Sequence, residues 1–152
     1  MSPISGLNHV AILTADLDRF IGFYAGVFQA EVVFRASAPL RHAILRIGAT
    51  SWLHPVEMPN HRHASGEPRM FERGHLDHVA LTASSSATFE QLRERLVACG
   101  ASDGAVDDLG AFHTLAFEDP DGMRGELTLI VDPALTEIHD PRPLRAMSTT
   151  AA

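Results

Sequence analysis

Two histidines sit in matching pentads, Leu7-Asn8-His9-Val10-Ala11 and Leu76-Asp77-His78-Val79-Ala80. A neutral imidazole is a common nitrogen ligand, and two of them at equivalent points of a repeat begin a metal site. The offset between the pentads also carries Phe20 onto Phe89, so the repeat reaches beyond them. The chain has nine histidines, and the remaining ones are weaker candidates. His75 and His78, three apart on a strand, point to opposite faces and cannot chelate together. His61-Arg62-His63 lies in a polar stretch and reads as solvated loop. His113 alternates with Thr114 and Ala116 and reads as packing or surface. Cys99, the single cysteine, reads as buried and inert near a helix end. It has no partner for an internal disulfide, which fits a reducing compartment.

The elements around each pentad follow one order. Residues 7–14 are apolar and β-branched enough for a buried strand. Asp16 is a helix N-cap, and Leu17, Phe20, Ile21, Tyr24, Val27 and Phe28 follow at helical spacing. Residues 31–36 read as a strand, and 42–47 with 50–54 as a hairpin around Gly48-Ala49. Residues 57–74, with Pro59, Gly66, Pro68 and Gly74, read as a linker. The pattern then restarts with a strand at 76–82, N-cap serines at 84–86, and a helix face of Phe89, Leu92 and Leu96 stopped by Gly100. Strands at 112–118 and 123–131 flank Asp119-Pro120-Asp121-Gly122, where Asp-Gly signals a turn. Completing the repeat requires a strand near 103–108 despite its three aspartates. The expected division is therefore a module at 1–56, a linker at 57–74, a second module at 75–131, and an irregular tail at 132–152 carrying prolines 133, 141 and 143.

Bulk properties restrict the class of function. With 152 residues, 45% hydrophobic and 20% charged, the chain suits one domain or two small units. Its net charge of −7 argues against wholesale binding to nucleic acid or anionic membranes. The first residues lack a basic region followed by an apolar run, and no apolar run approaches ~18 residues. The expected setting is the cytoplasm and the expected partner a small molecule.

Two such units, each opening with Asn/Asp-His-Val and the second closing with Asp-Pro-Asp-Gly-Met-Arg-Gly-Glu-Leu, resemble the vicinal oxygen chelate superfamily. That grouping includes glyoxalase I, extradiol dioxygenases, fosfomycin-resistance enzymes, methylmalonyl-CoA epimerase and bleomycin-binding proteins. The resemblance covers roughly residues 6–131 and implies an α+β fold. Two βαβββ modules would form a cup-shaped mixed sheet with helices on the outside and a divalent metal on the concave face. It places metal ligands at His9, His78 and Glu126. The counterpart of Glu126 in the first module is Trp52, Leu53 or, with a longer turn, His54. Trp52, His54 and Thr114 are the residues expected to shape the substrate pocket. The resemblance also implies a homodimer, whose sites draw on modules of different chains.

Two histidines and a carboxylate leave positions open for a bidentate substrate, O2 or water, and suit Fe(II) or Mn(II); Ni, Co and Zn also fit. On its strand Glu126 shares a face with Thr128 and Ile130 and needs a partner to offset its burial, which a metal supplies. The resemblance implies a metal-dependent enzyme, with dioxygenase-type oxidoreductase chemistry ahead of glyoxalase- or epimerase-type lyase and isomerase chemistry. The alternative from another class is a bleomycin-resistance-type binding protein without catalysis. No catalytic acid or base is identified. The dioxygenase branch has a tyrosine where this chain has Ala116, and a histidine near the position of Asp107-Asp108. The fosfomycin branch needs cations for a phosphonate, where this chain is acidic and apolar at 107–111.

Overall fold

The computed structural model describes residues 7–59, 76–134 and 138–144. The chain divides into two compact units. Among the described residues, the first holds 7–59 and 119–122, and the second 76–118, 123–134 and 138–144. Most of the segment expected to be a linker, like His61, His63 and His75, lies outside the described residues.

The first unit runs β1 (His9–Thr14), α1 (Leu17–Phe28), β2 (Glu31–Ala36), β3 (His42–Ile47) and β4 (Ser51–Glu57). Its sheet has the order β1-β4-β3-β2, with β1 parallel to β4 and the other neighbours antiparallel. Helix α1 starts where Asp16 accepts the amides of Asp18 and Arg19 at 2.9 and 3.0 Å. It buries Leu17, Phe20, Tyr24 and Val27. The sheet answers with Ile12, Ala43, Leu45, Ile47, Leu53 and Pro55, all buried. Strand alternation sends the intervening residues to the opposite, open face: His9, Ala11 and Leu13 on β1, Trp52, His54 and Val56 on β4, and His42, Ile44 and Arg46 on β3. Pro55 has no N–H to give, and the β3–β4 pairing lapses between Val56 and Leu53 around it.

The second unit repeats the order with β5 (Val79–Thr82), α2 (Ser86–Ala98), β6 (Asp107–Gly110), β7 (Phe112–Glu118) and β8 (Arg124–Ile130), and adds β9 (Ile138–Pro143). Its sheet is β5-β8-β7-β6-β9, again with the first and last repeat strands parallel. Ser85 caps α2 by accepting the amide of Thr88 at 3.1 Å. Gly100 closes the helix with a φ of 74°, a conformation that favours glycine. Phe89 and Leu96 of α2 are buried, as are Leu115, Phe117 and Leu127 of the sheet. Each unit thus has the βαβββ order of an α+β fold.

The structure departs from the sequence reading at three places. The segment 132–152, expected to be irregular, contains β9, which pairs with β6. Pro141 and Pro143 read as breakers, yet β9 is the outer strand of its sheet, where a missing N–H is tolerated. Cys99 is exposed rather than buried, because it is the C-cap residue of α2 and not part of its inward stripe. The turn Asp119–Gly122 does more than reverse the chain. Within the first unit, Asp121 accepts the Thr14 hydroxyl at 2.5 Å, the Ala15 amide at 3.1 Å and the Arg19 guanidinium at 2.8 Å. Burial, and then Asp119, push the Tyr24 phenol far above its ordinary pKa, so its hydroxyl stays protonated as a donor. Among the described residues, no helix is long and apolar enough to cross a membrane.

Candidate functional site

Both pentad histidines stand at the start of a first strand, His9 opening β1 and His78 directly before β5. The polar residue ahead of each ring contacts it. His9 Nδ1 lies 2.8 Å from Asn8 Oδ1, and His78 Nδ1 lies 2.8 Å from Asp77 Oδ2. Both oxygens are acceptors, so each ring donates its Nδ1–H and keeps the Nε2 lone pair free. This accounts for an Asn or Asp at the second position of the pentad.

Strand register identifies the partner donors. Ala11, two residues beyond His9, is opposite His54 on β4. Ala80, two residues beyond His78, is opposite Glu126 on β8. His54 is therefore the counterpart of Glu126, and the longer-turn alternative is the one the register selects. Trp52 lies opposite His9 and shares the open face, whereas Leu53 turns toward α1 and is buried.

In the second unit, His78 Nε2 lies 3.7 Å from Glu126 Oε2, with both side chains partly exposed. The open face continues through a polar row. Thr114 of β7 is opposite Thr128 of β8 and Asp107 of β6, and Thr82 and Thr128 hydroxyls are 3.1 Å apart. The Thr114 hydroxyl is buried and has no hydrogen-bond partner among the described residues. Such an orphan costs about 1–3 kcal/mol, which a ligand oxygen or nitrogen would recover. His113 is opposite Leu129, on the face that carries Leu115 and Phe117.

In the first unit, the rings of His9 and His54 are 5.7 Å apart, edge to face. His42 Nδ1 approaches His54 Nε2 to 3.0 Å, and Phe34 packs 5.5 Å from the His42 ring. Burial, then the neighbouring His42 and His9, hold the His54 pKa below its ordinary value, so the ring stays neutral. Among the described residues, no group of three or more His, Cys, Asp or Glu gathers as a metal-holding cluster. The donors come as pairs, His78 with Glu126 and His42 with His54, with His9 beside the second pair. The donor types fit a divalent metal: imidazoles with a free Nε2, each followed two register steps on by a second donor.

His42, Asn8, Asp77 and the Thr82–Thr128 hydroxyls were not among the residues expected from sequence. The signal for Asn8 and Asp77 was their recurrence ahead of both histidines. His42 carried only the alternation of its strand.

The chain matches the Glyoxalase/Bleomycin resistance protein/Dioxygenase superfamily over residues 6–127. It belongs to that family. Among solved structures, it is similar to a glyoxylase/bleomycin resistance protein/dioxygenase domain from Frankia sp. EAN1pec, at 25% identity and a TM-score of 0.67, covering 84% of this chain and 98% of that one. Lactoylglutathione lyase from Agrobacterium tumefaciens matches at 20% identity and a TM-score of 0.61, covering 84% and 96%. The fosfomycin resistance protein FosX from Listeria monocytogenes, in complex with Mn(II) and sulfate, matches at 23% identity and a TM-score of 0.59, covering 83% and 93%. At such identities the last two likenesses concern the fold. No curated protein matches the chain.

Proposed function

We propose that this member of the family is a divalent-metal-dependent enzyme acting on a small oxygenated organic substrate. His9, His78 and Glu126 are the proposed metal ligands, with His54 as a further donor and Trp52 and Thr114 against the substrate. The observation that supports this most is the shared register. Each module offers a first-strand imidazole and a last-strand donor, His54 in one and Glu126 in the other. A binding protein without metal has no need for donors kept at equivalent positions.

When bound, the metal supplies Lewis-acid polarisation of a carbonyl or hydroxyl oxygen. The chain's own residues set which reaction follows. Ring cleavage with O2 and a bidentate diol needs three open positions, which a three-donor set leaves on an octahedral ion. With His54 as a fourth donor, fewer positions would remain for a substrate and O2 together. On that ground we propose lyase- or isomerase-type proton transfer next to a carbonyl, with the dioxygenase-type chemistry expected from the sequence as the alternative. Ala116, in place of a tyrosine, supports the same order. The orphaned Thr114 hydroxyl is suited to orient a substrate oxygen. Fe(II) and Mn(II) suit the mixed imidazole and carboxylate donors, and the Listeria FosX complex holds Mn(II). By analogy with the family, the assembly is a homodimer in the cytoplasm.

Elemental analysis of the purified, dialysed protein tests the reading. His78→Ala and Glu126→Gln should each remove bound Mn(II) or Fe(II) while leaving the circular dichroism spectrum unchanged. Metal content unaffected by both substitutions would sink it, and a wild-type protein that takes up no metal would favour the non-catalytic binder.

A further inference from the structure

Strand β3 brings a third imidazole onto the open face of the first unit, at none of the ligand positions proposed above. His42 alternates with Ile44 and Arg46, and its Nδ1 stands 3.0 Å from Nε2 of His54. With metal–nitrogen bonds of about 2.0–2.1 Å, two nitrogens on adjacent corners of an octahedron or tetrahedron are roughly 2.9–3.4 Å apart. The observed distance falls in that range. The two rings are 5.2 Å apart with planes inclined by 55°, neither stacked nor coplanar. Phe34 supports the His42 ring from its other side. One of the two facing nitrogens carries the hydrogen that the other accepts, and a metal ion between them would take the place of that hydrogen.

We infer that His42 and His54 form a two-imidazole chelate on the open face of the first unit's sheet, taking a nitrogen-preferring divalent ion such as Zn(II), Ni(II) or Co(II). His9 is the next imidazole on that face, its ring 5.7 Å from that of His54. The carboxylate on the neighbouring edge strand, Glu31, is held by Arg46. The set is therefore rich in nitrogen, which biases it away from Mn(II) and Mg(II). The inference uses residues of the first unit alone and stands whether or not His78 and Glu126 bind a metal.

The test is a Zn(II) titration, by calorimetry, of the full chain carrying His78→Ala and Glu126→Gln. That variant should still bind Zn(II), and adding His42→Gln should weaken binding roughly tenfold or more, about 1.4 kcal/mol. Gln retains polarity at a half-buried site. A second measurement needs no substitution: on the wild-type chain, Zn(II) should shift the ring-nitrogen resonances of both His42 and His54. Zn(II) affinity unchanged or raised by His42→Gln would overturn the inference and leave His42 as a hydrogen-bond partner only. So would loss of all Zn(II) binding in the doubly substituted background, or a wild-type titration that moves His78 and leaves His42 in place. Failure of the proposed function would show elsewhere, as Mn(II) or Fe(II) content at the wild-type level in the His78→Ala, Glu126→Gln protein.

Discussion

Asp77 offers the sharpest perturbation of the proposed metal site, because it changes no ligand. Its carboxylate accepts the Nδ1–H of His78 at 2.8 Å and so fixes which nitrogen faces away with a free lone pair. Loss of such an outer partner costs about 10–100-fold in metal affinity, or roughly 1.4–2.7 kcal/mol. Asp77 is 33% exposed and His78 42%, so water screens the charge and the low end applies. Asp77→Ala should therefore weaken binding about tenfold. Asp77→Asn should cost only a few-fold, since it keeps an acceptor oxygen and loses only the charge. The chain contains its own reference for that variant: Asn8 holds His9 at the same 2.8 Å. Competition with a chromogenic chelator measures both variants against His78→Ala. If Asp77→Ala retains wild-type affinity while His78→Ala loses it, the carboxylate does not orient the ligand. If Asp77→Asn falls as far as Asp77→Ala, charge and not tautomer control is the cause.

Three further outcomes follow from the geometry. A Cβ on Gly125 would stand 2.2 Å from Cζ of Phe117, whose ring is buried opposite it; Gly125→Ala should cost about 1–3 kcal/mol in urea unfolding. Phe117→Leu in the same chain should recover part of that loss, and a Gly125→Ala protein as stable as wild type would show that the ring moves freely. Asp121→Ala should cost about 1–2 kcal/mol. The cost is limited because Arg19 is half-exposed and the Thr14 hydroxyl can turn to the Asp16 carbonyl at 3.1 Å. Asp132→Ala, at an exposed position, is the control, and equal effects of the two would refute the role of Asp121. The depressed pKa of His54 makes stability depend on pH. The unfolded chain binds the proton more readily, so stability is fully present above the ordinary histidine pKa of about 6.5 and is lost as pH falls through the folded value. His54→Gln should flatten that slope, and an unchanged pH profile would contradict it.

Local signals made much of the fold readable. Asp16 and Ser85 cap the helices because short polar side chains reach the free amides, and that chemistry is written in single residues. The strands at 31–36, 42–47 and 112–118 coincide with runs of β-formers. What could not be read depends on pairing between distant segments. The counterpart of Glu126 hung on the length of one turn, and only the parallel register of β1 on β4 settles it at His54. His42 looks like one polar residue of an alternating strand; its importance comes from lying diagonally across the hairpin from His54, with Val56 directly opposite. β9 was hidden by its prolines, which forbid a central strand and permit an outer one. The roles of Asp119 and Asp121 were masked by their turn chemistry, since the same residue types both make the turn and bind Thr14, Arg19 and Tyr24.

The repeat supplies equivalent places, and the residues that differ between the copies set what each could offer a metal. At the position before the histidine the first unit has neutral Asn8 and the second has Asp77. At the last-strand position the first has His54, held neutral, and the second has Glu126. Both carboxylates of the four positions thus belong to the second unit, and the first offers nitrogen alone. A divalent cation needs counter-charge as well as lone pairs, because a buried charge without compensation is costly. In the proposed site Glu126, with Asp77 behind His78, would favour a hard ion, whereas the imidazoles of the first unit would favour softer, nitrogen-preferring ions. Converting His54 to Glu would erase that asymmetry. It should raise Mn(II) affinity relative to Zn(II), and a variant with an unchanged Mn(II)/Zn(II) ratio would show that metal choice lies elsewhere in the chain.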